Sequence, residues 1–169
     1  NREDLNTITK KLGVLVETLN SNSTGSIIDK AASSPEDFQT VARSKDDLAA
    51  LLYTSGTTGK SKGAMLTQTN LLSNGNTLME EWQFSKKDVL LHALPLFHTH
   101  GLFVATNVML SAGGSMILLP KFNLDDIIKN LPKSSAMMGV PTFYTRLLAD
   151  NRLNKKLVNH MRLFVSGSA

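Results

Sequence analysis

Two short segments hold most of the residue types that could handle a phosphorylated or acidic ligand. The first, Tyr53 to Leu66, reads "YTSGTTGKSKGAML" and is dense in hydroxyls, glycines and lysines. Glycine permits close backbone approach, N–H and hydroxyl groups donate to phosphate oxygens, and lysine supplies charge. Two common phosphate-loop patterns fail here. Gly59-Lys60-Ser61 matches the end of a Walker A loop, but the first glycine of that pattern falls on Thr54. The dinucleotide pattern G-x-G-x-x-G is absent. Composition alone leaves a phosphate cradle and a solvated turn both open.

The second segment is "ALPLFHTHGLF", Ala93 to Phe103, with His98 and His100 two residues apart. That spacing suits a metal pair, but no third histidine, cysteine or nearby carboxylate joins it, so no metal ligand is assigned. Packed or exposed histidines remain the other reading. His92 and His160 read as structural. Arg146, in "VPTFYTRLL", would by itself read as an exposed helix arginine.

Around these segments the apolar pattern predicts five buried strands, at 48–54, 89–94, 115–120, 136–140 and 162–166. Helical stretches lie between them. Leu71, Leu72, Met79 and Trp82 share a helical face over 67–84, and a mostly buried helix over 101–114 ends on glycine. Asn123 is placed to cap a helix stopped by Pro132, and Pro141 opens another. Strand–helix alternation predicts an α/β fold, a parallel sheet with helices on both faces. The segment 55–63 would then run directly into a helix. Residues 1–47 are expected to close a preceding subdomain and linker, and 48–169 to form an α/β subdomain that is incomplete at its C-terminus. The last residues, "RLFVSGSA", are a strand running into a small-residue loop, where open α/β sheets carry ligands.

Composition narrows the class. Among 169 residues, 41% are hydrophobic and 19% charged, which fits a globular chain and argues against global disorder. No apolar run reaches the roughly 20 residues of a membrane span. The N-terminus lacks a signal-peptide layout, and there is no cysteine, so a cytoplasmic setting is expected. The net charge is +4, but the lysines are scattered without interleaved aromatics, which argues against nucleic acid as a partner.

"YTSGTTGKSKGAMLTQTNL" resembles the phosphate-binding motif of the adenylate-forming superfamily, which includes acyl-CoA synthetases, luciferases and peptide-synthetase adenylation domains. The resemblance implies the large N-terminal domain of such an enzyme, with Thr54, Ser55, Gly56, Thr57, Thr58, Gly59 and Lys62 holding the phosphates of ATP. "PLFHTHG" resembles the second motif of the superfamily, whose histidine, His98 here, lies over the acyl site and gates admission of the acyl group or the thiol. "HALPLFHTHGLFVATNVML", "GGSMILLPKF", "MGVPTFYTRLL" and "MRLFVSGSA" are together similar to malonyl-CoA synthetases of the bacterial type.

That likeness implies a ligase that turns malonate, or alternatively methylmalonate, with ATP, Mg²⁺ and coenzyme A into malonyl-CoA, AMP and pyrophosphate. Arg146 and Ser168 would serve the distal carboxylate of the substrate. A buried carboxylate needs a cation, and arginine offers a planar two-pronged donor. The superfamily's adenine and ribose motifs and its catalytic lysine have no counterpart in these residues. The chain is therefore expected to be a fragment that does not complete adenylation alone. Ligation of another short-chain acid, and a non-catalytic nucleotide-binding module, are the competing readings.

Overall fold

The computed structural model describes residues 2–54 and 62–168, with side chains over 5–53 and 62–168. The chain divides into two compact units, Asn1–Ala42 and Arg43–Ala169. In the first, α1 (Arg2–Leu12) ends at Gly13, which has φ +63°, and α2 (Ser26–Ala32) follows a short loop. The Thr18 and Ser26 N–H groups each donate to the other residue's hydroxyl, at 2.9 and 3.0 Å. Gly25 lies between them at φ +129°, and a Cβ there would stand 2.3 Å from the Thr18 carbonyl oxygen, so only glycine fits. None of the described residues of this unit is buried.

The second unit is built on a four-stranded parallel sheet in the order β4-β3-β5-β6. Its strands are β3 (Val89–His92), β4 (Ser115–Leu118), β5 (Ala136–Gly139) and β6 (Leu163–Ser166). The inner strands β3 and β5 are apolar without alternation because both of their faces are covered. Leu90 and Met138 pack on one face with Ala105, Val108 and Met109. On the other face Leu91 and Met137 meet Ile127, Leu131 and Leu147. The helices follow from that alternation. A π-helical segment (His100–Thr106), α4 (Asn107–Ala112) and the end of α3 (Gln68–Glu81) lie on the first face; α5 (Leu124–Asn130) and α6 (Pro141–Leu148) lie on the second. The α/β class with helices on both faces is therefore as the alternation predicts.

Local signals hold as well. The Asn123 side chain accepts from the Asp126 N–H at 3.1 Å, Pro141 is the first residue of α6, and Gly113 ends α4 at φ +66°.

Two expectations are corrected. Residues 48–54 form β1 (Leu48–Thr54), but β1 is not a strand of the parallel sheet. It pairs antiparallel with β2 (Lys62–Thr67), a strand that the apolar pattern does not predict. The reason is connection length: 55–61 is too short for a parallel crossover, which needs a dozen or more residues, but ample for an antiparallel return. The run "LAALLYT" is accordingly half solvated, with Leu51 50% and Tyr53 73% exposed. Only after β2 does α3 begin, capped reciprocally by Thr67 and Asn70. Secondly, Leu72 is 62% exposed although it shares a face with Met79, because α3 lies on the core only through its last turns, at Leu78, Met79 and Trp82.

Candidate active site

From β3 the chain steps to β4 on one side, then crosses back to β5 on the other. Strand order reverses there, and such a switch point opens a crevice beyond the carboxyl ends of the strands. A cleft of about 490 Å³ occupies that position. Its walls come from three segments: Leu94 to Gly101 after β3, Val140 and Phe143 after β5, and Ser168 after β6. Leucine, valine and phenylalanine make most of the wall apolar, while His98, Thr99, His100 and Ser168 supply the polar groups.

Each wall is fixed by local packing. The Gly167 N–H donates to the Gly139 carbonyl at 3.2 Å, joining the ends of β5 and β6. The Tyr144 hydroxyl lies between the carbonyls of Met137 and Val165, at 3.0 and 2.6 Å, and donates to one at a time. Burial pushes the pKa of that phenol up, so the hydroxyl keeps its proton. Ser168, just beyond, has φ +60°, a left-handed backbone in a residue with a side chain. Such strain costs on the order of 1–3 kcal/mol and clusters at functional sites.

The wall after β3 turns sharply at Pro95 and returns at Gly101. A Cβ on Gly101 would stand 2.2 Å from the Pro95 carbonyl oxygen, an impossible approach. Gly101→Ala is therefore expected to destabilise the fold by about 1–3 kcal/mol, read from the midpoint of urea unfolding. Gly167→Ala meets nothing within 4 Å and is expected to stay within about 0.5 kcal/mol of the parent.

The two histidines flanking this return are held neutral. Burial lowers the pKa of His92; burial, then the neighbouring His92, lowers that of His100. His100 is 9% exposed, and its Nδ1 is buried without a partner.

The predicted site residues separate into four groups. His98 and Ser168, 70 positions apart in sequence, line the same cleft; the His98 ring is exposed and packs on Phe97 at 4.6 Å between centroids. Arg146 does not line the cleft. Its exposed guanidinium lies over the Phe122 ring, 4.8 Å from the centroid, and Phe122 stacks on the cleft residue Phe143 at 4.2 Å. Thr54 and Lys62 are register partners across the β1–β2 hairpin, outside the cleft lining. Ser55, Gly56, Thr57, Thr58 and Gly59 lie outside the described residues. Sequence reasoning missed Phe143, Val140 and Gly101, whose only signal was their position just beyond strand ends. Among the described residues no group of three or more histidine, cysteine or acidic side chains could hold a metal ion. No described helix is long and apolar enough to cross a membrane.

Known proteins resemble the chain along most of its length. A family profile described as AMP-binding enzyme matches residues 2–169. The malonate–CoA ligase of Arabidopsis thaliana is 34% identical over 154 residues, covering 79% of this chain and 25% of its own. The crystal structure of ATP-bound MatB from Rhodopseudomonas palustris is 57% identical, with a TM-score of 0.94 over 99% of this chain and 33% of its own. A malonyl-CoA ligase complex with methylmalonyl-CoA and AMP is 39% identical, with a TM-score of 0.69 over 80% of this chain and 29% of its own. The chain thus spans between a quarter and a third of the length of these relatives. A profile match over residues 2–169, on a fold shared with these ligases, shows that the chain belongs to the family of AMP-binding enzymes.

Proposed function

We propose that this chain is part of an ATP-dependent acid–CoA ligase whose acid is malonate, with methylmalonate as a second substrate. The observation carrying this reading is the cleft at the strand-order switch, where His98 and Ser168 meet across apolar walls. The similarity to proteins named malonate–CoA ligase, and to an ATP-bound relative, supports both the acid and the nucleotide.

In the first half-reaction a malonate oxygen attacks the α-phosphorus of ATP, forming the acyl-adenylate as pyrophosphate leaves. The coenzyme A thiol then attacks the acyl carbon, giving malonyl-CoA and AMP. The contribution of this chain is placement rather than covalent chemistry. Leu94, Val140 and Phe143 keep water from the mixed anhydride, His98 stands over the acyl group, and Ser168 donates to the distal carboxylate. Thr54 and Lys62, paired across the β1–β2 hairpin, bind the phosphates of ATP together with Ser55, Gly56, Thr57, Thr58 and Gly59. Mg²⁺ belongs to the chemistry of ATP, but the described residues offer no acidic cluster for it, and none is assigned to it.

The test is acid-dependent exchange of pyrophosphate into ATP by the full-length ligase. Malonate should give the fastest exchange and methylmalonate the next. Faster exchange with acetate or propionate would make it a ligase of another short-chain acid. Nucleotide binding without exchange for any acid would reduce it to a binding module.

A further inference from the structure

We propose that His92 is a positioning residue for the acid cleft: it grips the Gly101 carbonyl and so holds open the π-helical turn that carries the cleft wall. The proposal rests on reading that cleft as the acid site.

His92 is the last residue of β3 and is 1% exposed. Its Nδ1 accepts the Leu94 N–H at 3.2 Å, so in the neutral ring the proton must sit on Nε2. Nε2 then donates to the Gly101 carbonyl at 2.9 Å. The tautomer follows from the partners, since a ring protonated at Nδ1 would oppose the Leu94 N–H.

The Thr106 hydroxyl donates to the same carbonyl, also at 2.9 Å. Two side chains therefore hold one peptide oxygen from outside the regular backbone ladder. His100–Thr106, the segment whose first turn holds this carbonyl, is wound as a π-helix, after which α4 continues normally. Wide turns of this kind are rare and are frequently found at functional sites.

The grip reaches the cleft through backbone alone. Gly101 is pressed against the Pro95 carbonyl, an approach open only to glycine. That carbonyl accepts the His98 N–H at 3.2 Å, and the His98 carbonyl accepts the Leu102 N–H at 3.0 Å. The position of His92 is thereby passed to Pro95, His98 and Thr99, all of which line the cleft. The buried Nδ1 of His100 beside them has no hydrogen-bond partner, so that ring adds no hydrogen bond through Nδ1 to the hold that His92 and Thr106 have on the turn.

The experiment compares His92→Leu with His92→Gln in the full-length ligase. The glutamine amide nitrogen occupies the place of Nε2 and can still donate to Gly101, whereas leucine cannot. His92→Leu should lower kcat/KM for malonate about 10-fold with KM for ATP unchanged, because a misplaced wall costs orientation and not nucleotide binding. His92→Gln should recover most of the loss. Selective ¹⁵N-imidazole spectra should show His92 protonated at Nε2 in the parent, and His98 resonances displaced in the leucine variant but not in the glutamine variant. Thr106→Val, which removes the second donor at nearly constant volume, should displace His98 in the same direction by less, and serves if His92→Leu fails to fold. Equal losses in the leucine and glutamine variants, or unmoved His98 resonances, would overturn the proposal. A parent enzyme inactive with every acid would sink the functional reading instead, and the spectra would still decide the role of His92.

Discussion

Arg146→Ala is expected to cut malonate-dependent pyrophosphate exchange on the order of 100-fold while leaving acetate-dependent exchange untouched. A dicarboxylate presents one carboxylate to ATP and leaves a second one in a mostly apolar cleft. An anion taken out of water there is costly without a cation. Arg146 is the cation nearest in sequence to Phe143, the cleft residue of α6, three positions on and one turn along the same helix. Its present place on the Phe122 ring does not oppose the role. An exposed cation–π contact is worth only about 0.5–1 kcal/mol, far less than a charge-paired hydrogen bond gains in a dry site. The guanidinium can therefore leave the ring when an anion arrives, and Phe122 and Phe143 stack as a short bridge between its resting place and the cleft. Acetate has no second carboxylate, so its exchange isolates the contact. Equal losses with both acids would show that Arg146 supports the fold of α6 and not the pocket.

Which parts of this arrangement could be read in advance depends on how local their causes are. Asn123, Pro141 and Gly113 act through their own backbone neighbours, and the helix ends stand where those residue types require. The inner strands β3 and β5 were legible as unbroken apolar runs because burial on both faces erases alternation. The β1–β2 hairpin was not, since "LAALLYT" shows the same apolar run while being half solvated. Its true signal was the short connection to "KGAMLT", a property of two segments rather than one. At the cleft, His98 and Ser168 are singled out by resemblance alone, and their lining the same crevice follows from β3, β5 and β6 running parallel. Residue type alone reads His92 as structural. What gives it a role is a hydrogen bond to Gly101, nine residues away, and no residue type or spacing announces a contact of that kind.

At the opposite end of the sheet a different prediction applies: Asp88→Ala should destabilise the fold by about 3–5 kcal/mol without altering the cleft. Asp88 immediately precedes β3, and its carboxylate accepts Arg162 Nε at 2.6 Å, the Ser135 hydroxyl at 2.7 Å and the Ser85 N–H at 2.8 Å. Its carbonyl takes the Ser115 N–H at 2.9 Å, so the start of each of the four strands is tied to this one residue. Arg162 is held in turn by the Trp82 carbonyl at 2.8 Å and lies over the Phe84 ring at 4.7 Å. Alanine would leave a guanidinium, a hydroxyl and an N–H without their acceptor in a site where Asp88 itself is 5% exposed. Burial by itself would raise the pKa of Asp88, but the hydrogen bonds from Arg162, Ser135 and Ser85 outweigh it and hold the carboxyl at about 2, against an ordinary 3.8. Because the folded value lies below the unfolded one, the stabilisation is complete above about pH 4 and is lost as pH falls toward 2. Urea midpoints of the parent and of Asp88→Asn, measured at pH 7 and again near pH 2.5, read this directly. Asparagine keeps the shape and removes the titration, so the gap between the two proteins should narrow at the acid end. A gap that stays constant would mean that the carboxylate carries no charge-dependent stability, and that Arg162 is held by Trp82 and Phe84 alone.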